Sequence, residues 1–207
     1  MSSIRTRQAL ENSLGALARI DPQMKRLWDS AGTPGLRRRK SGFYALARVI
    51  VGQQLSIHAA ASIWQRLEAL CRPFDARTVL ATSETRLRQA GLSGAKTKYI
   101  RALAAAVEEG AINFNRIHRL ADEDAIDALT EIKGIGRWSA ECYLLFALGR
   151  ADVFPAADLA LAVSYQNWRR LDERPGEPDF RVIAEAWAPH RSAAARLLWH
   201  AYRREVV

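Results

Sequence analysis

LTEIKGIGRWSAECYLLFALGRADVFPAADLAL, running from Leu129 to Leu161, is the stretch on which the fold turns. A Gly134-Ile135-Gly136 turn stands directly before an apolar helix, and one carboxylate, Asp158, follows 20 residues after Trp138. Glycines let backbone N–H groups come close to an anion because no side chain stands in the way. The helix that follows adds the positive end of its dipole at the same spot. Such a loop holds one phosphate of a nucleic-acid backbone without reading sequence. Asp158 is then an acid suited to chemistry on whatever that phosphate delivers.

Working outward, the chain has 207 residues, 49% of them hydrophobic and 26% charged, which is an ordinary globular composition with room for one substantial core or two small lobes. The net charge of +9 favours a polyanionic partner, although a basic chain alone is weak grounds for one. Of the cationic residues 26 are Arg and 5 are Lys; phosphate recognition fits this bias, and a GC-rich coding bias is the simpler cause. The two cysteines, Cys71 and Cys142, form no C-x-x-C, and the histidines His58, His118, His190 and His200 form no metal set. A zinc site or an iron–sulfur cluster needs more ligands, so neither is expected. Nothing approaches the roughly 18 apolar residues of a membrane span, and the N-terminus has no signal-peptide run. The expectation is a soluble protein of the reducing cytoplasm.

The hydrophobic pattern is helical almost throughout: Phe43, Leu46, Ala47 and Ile50 recur at helical spacing, as do Ile100, Leu103, Ala104 and Val107, and Cys142, Leu145, Phe146 and Gly149. Breaks fall at Gly32–Gly35, Cys71–Pro73, Gly91–Gly94, Gly110, Gly149–Pro155 and Arg174–Pro178. No alternating strand and no tandem repeat is visible. This predicts an all-α domain of roughly eight to ten helices, with candidate segments such as Ile4–Ile20, Pro22–Ala31, Lys96–Glu109, Arg137–Leu148, Ala157–Arg170 and Arg191–Arg204. Asp122 reads as the N-cap of the helix before the turn. The basic run Arg37-Arg38-Arg39-Lys40 falls in a loop, where it is either solvated or in contact with a phosphate.

Helix, h-x-G-h-G, then a helix with a small residue (Ala140) for close packing is the helix-hairpin-helix pattern; the plain alternative is an ordinary αα-hairpin with a glycine turn. Together with Ala47–Ser56 (ARVIVGQQLS) and Gly91–Ile100 (GLSGAKTKYI), the stretch from Ile132 to Leu161 resembles the helix-hairpin-helix superfamily of base-excision DNA glycosylases, and within it the alkylpurine branch (3-methyladenine DNA glycosylase II). The resemblance covers roughly residues 43–205. It implies an all-α, bilobal glycosylase fold with the active-site cleft between two helical lobes. The terminal lobe is then residues 1–42 plus 155–207 and the central lobe residues 43–154, with the hairpin at 122–148. Longer members carry an extra N-terminal β-rich domain, so the compact form is expected here.

The same resemblance assigns roles. Asp158 matches the catalytic aspartate: breaking an N-glycosidic bond puts oxocarbenium character on the sugar, which a carboxylate stabilises. Asp158 also follows Pro155-Ala156-Ala157 and opens a helix, so it reads equally as an N-cap, and the two roles are compatible. Trp138 stands where glycosylase–lyases of the superfamily place a nucleophilic lysine. A Schiff base needs an amine, which points to a monofunctional enzyme without lyase activity, Lys133 being a surface residue or a phosphate contact. Trp138 and Trp199, with Tyr143 as a weaker candidate, match the aromatics of a base pocket, where a purine made cationic by alkylation would be held by cation–π attraction. Core packing is the plain alternative for each. Cys142 stands where some relatives have a pocket tyrosine.

Chemistry on a base requires taking it out of the stack and filling the gap. Gln53-Gln54-Leu55 resembles the wedge loop, with Gln54 first, Leu55 second and Gln53 third; the alternative is a helix end making local hydrogen bonds. Gly134, Gly136 and Trp138 would bind a phosphate through backbone N–H groups, aided by Arg137 and by Lys96 or Lys98. The family's hairpin carbonyls, here Thr130, Ile132 and Ile135, would hold a structural monovalent cation, Na+ or K+; no cofactor is otherwise required. The implied partner is double-stranded DNA containing alkylated bases, with no membrane, and the expected state is a monomer. The competing function is a non-catalytic helix-hairpin-helix module that only grips the DNA backbone.

Overall fold

The computed structural model describes residues 3–36 and 39–205, and for Ile57 the backbone alone. Arg37 and Arg38 of the basic run therefore lie outside the described residues. Among those described, the helices are α1 (Arg7–Ile20), α2 (Pro22–Ala31), α3 (Phe43–Gly52), α4 (Ile57–Leu70), α5 (Ala76–Ala81), α6 (Glu84–Gln89), α7 (Gly94–Glu108), α8 (Phe114–Ile117), α9 (Asp122–Thr130), α10 (Arg137–Tyr143), α11 (Leu159–Arg169), α12 (Glu177–Glu185) and α13 (Arg191–Arg203). A π-helical turn, Leu144–Leu148, continues α10. The count exceeds the eight to ten expected because α5, α6 and α8 are only four to six residues long. Each of these short helices is closed by a side-chain N-cap, from Asp75, Ser83 and Asn113. A single bridge, Ser3 with Arg150, is the sole β-type pairing among the described residues. It replaces the first turn of the expected Ile4–Ile20 helix: Ile4 donates to Gly149 O, and Thr6 is the N-cap of α1.

The chain divides into a terminal unit, Met1–Arg38 with Leu144–Val207, and a central unit, Arg39–Tyr143. The second crossing comes at Leu144 rather than at residue 155, because Leu145, Ala151 and Phe154 belong to the terminal unit's core with Leu10, Leu14 and Leu161. That core gathers α1, α2, α11, α12 and α13 around the edge-packed rings of Phe154, Phe180 and Trp187. The run Ala193-Ala194-Ala195 is wholly buried on α13, and its small side chains let α11 and α2 lie close against it. The freed carbonyls of the π turn are taken by arginines: Leu145 O accepts from Arg196 Nη2 at 2.8 Å and Leu148 O from Arg5 Nε at 3.2 Å. A π turn needs such outside donors, since it breaks the regular i→i−4 ladder. Periodicity had run α-helix straight through to Leu148.

One carboxylate joins α2, α11 and the segment that follows α12 in the terminal unit. Asp21 caps α2, its Oδ1 accepting from Gln23 and Met24, while Oδ2 accepts from Arg169 on α11 at 2.7 Å and from Trp187 beyond α12 at 3.0 Å.

In the central unit the apolar helix α3 is covered by α4, α7 and α10, with Leu46, Ile50, Ile100, Leu103 and Leu129 fully buried. Helix α9 begins at Asp122 itself, with Ala121 at the N-cap, so Asp122 is not the cap expected. Asp122, Glu123 and Asp124 fill the first turn instead, where negative charge complements the helix dipole. For the terminal unit, Asp21→Ala removes a cap and leaves the Trp187 indole N–H and Arg169 without their acceptor; it should cost about 2–4 kcal/mol in urea unfolding, whereas Asp29→Ala, on the exposed face of α2, should cost under about 0.5 kcal/mol.

Candidate active site

The Pro155-Ala156-Ala157 segment delivers Asp158 to the start of α11, with its own N–H bonded to Pro155 O at 2.9 Å. Asp158 Oδ1 accepts from Leu161 N–H at 3.1 Å, so the carboxylate caps the helix. The same oxygen accepts from the indole N–H of Trp199 at 2.9 Å, across from α13. Both residues are half-buried. Behind Trp199 stands Phe146 of the π turn, stacked at 5.3 Å and 27°. The Arg196 guanidinium lies 5.2 Å over the Phe146 ring. Trp199 also walls an open pocket of about 230 Å3 with Phe146, Arg196 and Arg203. The result is a carboxylate fixed by two donors from different elements, beside a ring that is locked by stacking.

In the central unit the hairpin is built as its sequence requires. Ile132 and Ile135 are buried anchors, and Ile135 N–H donates to Ile132 O at 2.9 Å to close the turn. Gly134 has φ +89°, and a Cβ there would overlap the ring of Tyr99 on α7, so only glycine fits. Gly136 differs: it is exposed, nothing stands within 4 Å of where its Cβ would be, and its carbonyl accepts from Ala140 at the head of α10. Ala140 is fully buried, as the close packing of the two hairpin helices demands.

The wedge-like loop closes α3. Gln54 is exposed and has φ +54°, a left-handed conformation costing about 1 kcal/mol for a residue with a side chain. Leu55 follows with 39% of its surface exposed. Gln53 points elsewhere: its Nε2 donates to Gly134 O at 3.0 Å and to Ser139 Oγ at 2.9 Å, so its side-chain amide is engaged by the hairpin and not presented as a wedge.

Other expected residues also have occupations that their sequence did not disclose. Lys96 Nζ donates to Val51 O at 2.9 Å and Gln53 O at 2.6 Å, completing the C-terminal end of α3. Partial burial lowers its pKa. Two of its three N–H donors thus serve the fold, while Lys98 is exposed. Arg137 donates through Nη2 to both oxygens of Glu123, at 2.7 and 2.6 Å, and through Nε to buried Glu141 at 3.1 Å, so its guanidinium is oriented by carboxylates. Tyr143 is wholly buried, its hydroxyl accepting from Gly42 N–H at 2.9 Å and sharing a hydrogen with His118 at 3.0 Å. Burial pushes its hydroxyl up to about 12. A ring with no exposed face is core and not a pocket wall. Trp138 is half-buried on α10, and Cys142 is buried. Asp152 accepts from Arg191 Nε and Nη2 at 2.7 and 2.9 Å.

No cluster of three or more His, Cys, Asp or Glu that could hold a metal exists among the described residues. The hairpin carbonyls of Thr130, Ile132 and Ile135 are neutral, hard donors of the kind a monovalent cation takes. That of Ile132 accepts the Ile135 N–H, one bond for a carbonyl that has two lone pairs.

Residues 47–190 match the model of the HhH-GPD superfamily of base excision DNA repair proteins. This chain belongs to that superfamily. Within it the chain lies in the 3-methyladenine DNA glycosylase branch. It is 33% identical over 190 residues to DNA-3-methyladenine glycosylase 1 of Schizosaccharomyces pombe, covering 88% of this chain and 83% of that protein. The S. pombe 3-methyladenine DNA glycosylase solved in complex with abasic DNA superposes with a TM-score of 0.87 at 31% identity, over 93% of this chain and 97% of that one. A DNA-3-methyladenine glycosidase from Bacillus halodurans gives 0.80 at 31%, over 99% and 93%. The all-α HhH-GPD glycosylase fold is thereby established. Among the described residues no helix is long and apolar enough to cross a membrane.

The two hairpin glycines of this HhH-GPD fold should respond differently to a methyl group. Gly134→Ala forces a left-handed alanine into the Tyr99 ring and should cost about 2–4 kcal/mol. Gly136→Ala meets open space and should cost under about 1 kcal/mol, both read as unfolding free energies.

Proposed function

We propose that this protein is a monofunctional DNA N-glycosylase that turns an alkylated purine out of duplex DNA and hydrolyses its N-glycosidic bond, leaving an intact abasic site. N3-methyladenine is the first substrate and N7-methylguanine the second. The observation that carries the reading is the half-buried Asp158 carboxylate, fixed by the Trp199 indole N–H and the α11 backbone. The names of the S. pombe and B. halodurans relatives support the same substrate class.

In the reaction the C1′–N bond breaks and its electron pair leaves with the purine. A purine alkylated at N3 or N7 is cationic, so it departs as a neutral base and needs little acid assistance. The sugar acquires oxocarbenium character, which the Asp158 carboxylate stabilises while a water attacks C1′, the water's proton passing to that carboxylate and then to solvent. The two donors on Oδ1 fix the carboxylate before the charge develops, so no reorganisation is needed at that moment. Trp199 and Trp138 serve as electron-rich stacking surfaces for the cationic base. Gln54 and Leu55, exposed at the end of α3, fill the space the base leaves. Gly134 and Gly136 bring backbone N–H groups to a DNA phosphate, with Lys98 as an exposed cation on α7. Na+ or K+ held by the carbonyls of Thr130, Ile132 and Ile135 would add positive charge beside that phosphate. A monomer suffices, since one asymmetric lesion requires no two-fold partner.

Base release from methylated duplex DNA tests this reading. Asparagine caps a helix as well as aspartate does, so Asp158→Asn separates the two roles: single-turnover release should fall about a hundredfold or more while the unfolding midpoint stays in place. Equal release by the variant removes Asp158 from the chemistry and leaves a module that only grips DNA. With no lysine at position 138, borohydride should trap no covalent DNA adduct; trapping would establish a lyase. Trp199→Phe, which keeps the ring but loses the indole donor, should slow release about fivefold to tenfold.

A further inference from the structure

We infer that Gln53 is a positioning residue that couples the hairpin to the wedge loop, so that a phosphate seated at the hairpin fixes where Gln54 and Leu55 enter the duplex; this rests on the glycosylase reading above. Two adjacent glutamines face opposite ways. Gln54 stands exposed in a left-handed conformation. Gln53 turns inward, and one atom, Nε2, touches both halves of the hairpin: the carbonyl of Gly134 in the turn at 3.0 Å and the hydroxyl of Ser139 in the first turn of α10 at 2.9 Å.

The other side of the same residue is also held. The backbone carbonyl of Gln53, with that of Val51, accepts from Lys96 Nζ at 2.6 and 2.9 Å. Lys96 lies on α7, and three residues on, at the i, i+3 spacing that puts side chains on one helix face, Tyr99 presents its ring to Gly134. Helix α7 is thus a shared seat, holding the wedge loop through Lys96 and the hairpin turn through Tyr99, with the Gln53 amide joining the two. A left-handed glutamine persists only where its surroundings over-determine it, and the contacts on Gln53 supply that constraint for its neighbour. The wedge therefore has a fixed register relative to the phosphate grip. Binding energy from the backbone is directed into displacing the base, because the two elements cannot shift independently.

The plain alternative is that the Gln53 amide only satisfies buried polar groups of the fold. The two are separated by a substrate that needs no wedge. Single-turnover release of N7-methylguanine is measured from a fully paired duplex and from the same duplex with the lesion in a short unpaired bubble. A 2-aminopurine opposite the lesion reports unstacking. Gln53→Met keeps the length of the side chain and loses both donated bonds. It should slow release from the paired duplex about tenfold and abolish the 2-aminopurine rise. On the bubble it should stay within about twofold of the wild type. Ser139→Ala, which removes one of the two acceptors, should give the same pattern at about threefold and carries the test if Gln53→Met does not fold. Absence of release by the wild-type protein from either substrate overturns the glycosylase reading and the coupling with it. Wild-type release that both variants leave unaltered, or lower equally on the two substrates, overturns the coupling alone.

Discussion

The carboxylate oxygen of Asp158 has to satisfy two donors at once, and much of the terminal unit is arranged around that requirement. A helix start leaves backbone N–H groups without partners, and Leu161 N–H takes this oxygen for its own. A tryptophan indole that is half-buried also needs an acceptor, and Trp199 takes the same atom. Meeting both fixes α13 against the start of α11, and it fixes the plane of the Trp199 ring, which Phe146 then backs. The π turn that presents Phe146 survives because Arg196 and Arg5 occupy its freed carbonyls. Capping the helix and holding the Trp199 ring thus fall to one oxygen.

The central unit has a corresponding constraint in the hairpin. Its turn packs against the Tyr99 ring, its carbonyl at Gly134 is held by Gln53, and its first helical residue, Arg137, is held between Glu123 and Glu141. The form of this loop depends on its backbone. Arg137, at the start of α10, and Lys96, on α7, are both bonded internally, which helps to keep that backbone still. A net charge of +9 therefore overstates how many positive side chains are available to DNA, since Lys96 and Arg137 are both engaged internally.

Kinship with DNA-3-methyladenine glycosylase 1 of S. pombe and the internal chemistry agree at the level of family, and they speak to different questions. Kinship establishes the superfamily and its branch. The hydrogen bonds around Asp158 and Gln53 describe how this particular chain holds the parts that such a family uses.

The sequence by itself determined what short-range physics controls. Helical periodicity located the helices, Gly134 and Gly136 located the turn, and the Pro155–Asp158 segment announced a capped helix start, because each depends on residues within a few positions of one another. Tertiary structure alone decided the partners. Trp199 meets Asp158 across 41 residues, Lys96 reaches Gln53 across 43, and Gln53 reaches Gly134 across 81. One backbone carbonyl resembles every other in sequence, so nothing local tells a lysine whether it will meet a phosphate or the end of a helix. The same ambiguity hid the burial of Tyr143 and the π turn. Both follow from how α10 and the residues after it pack against elements far along the chain.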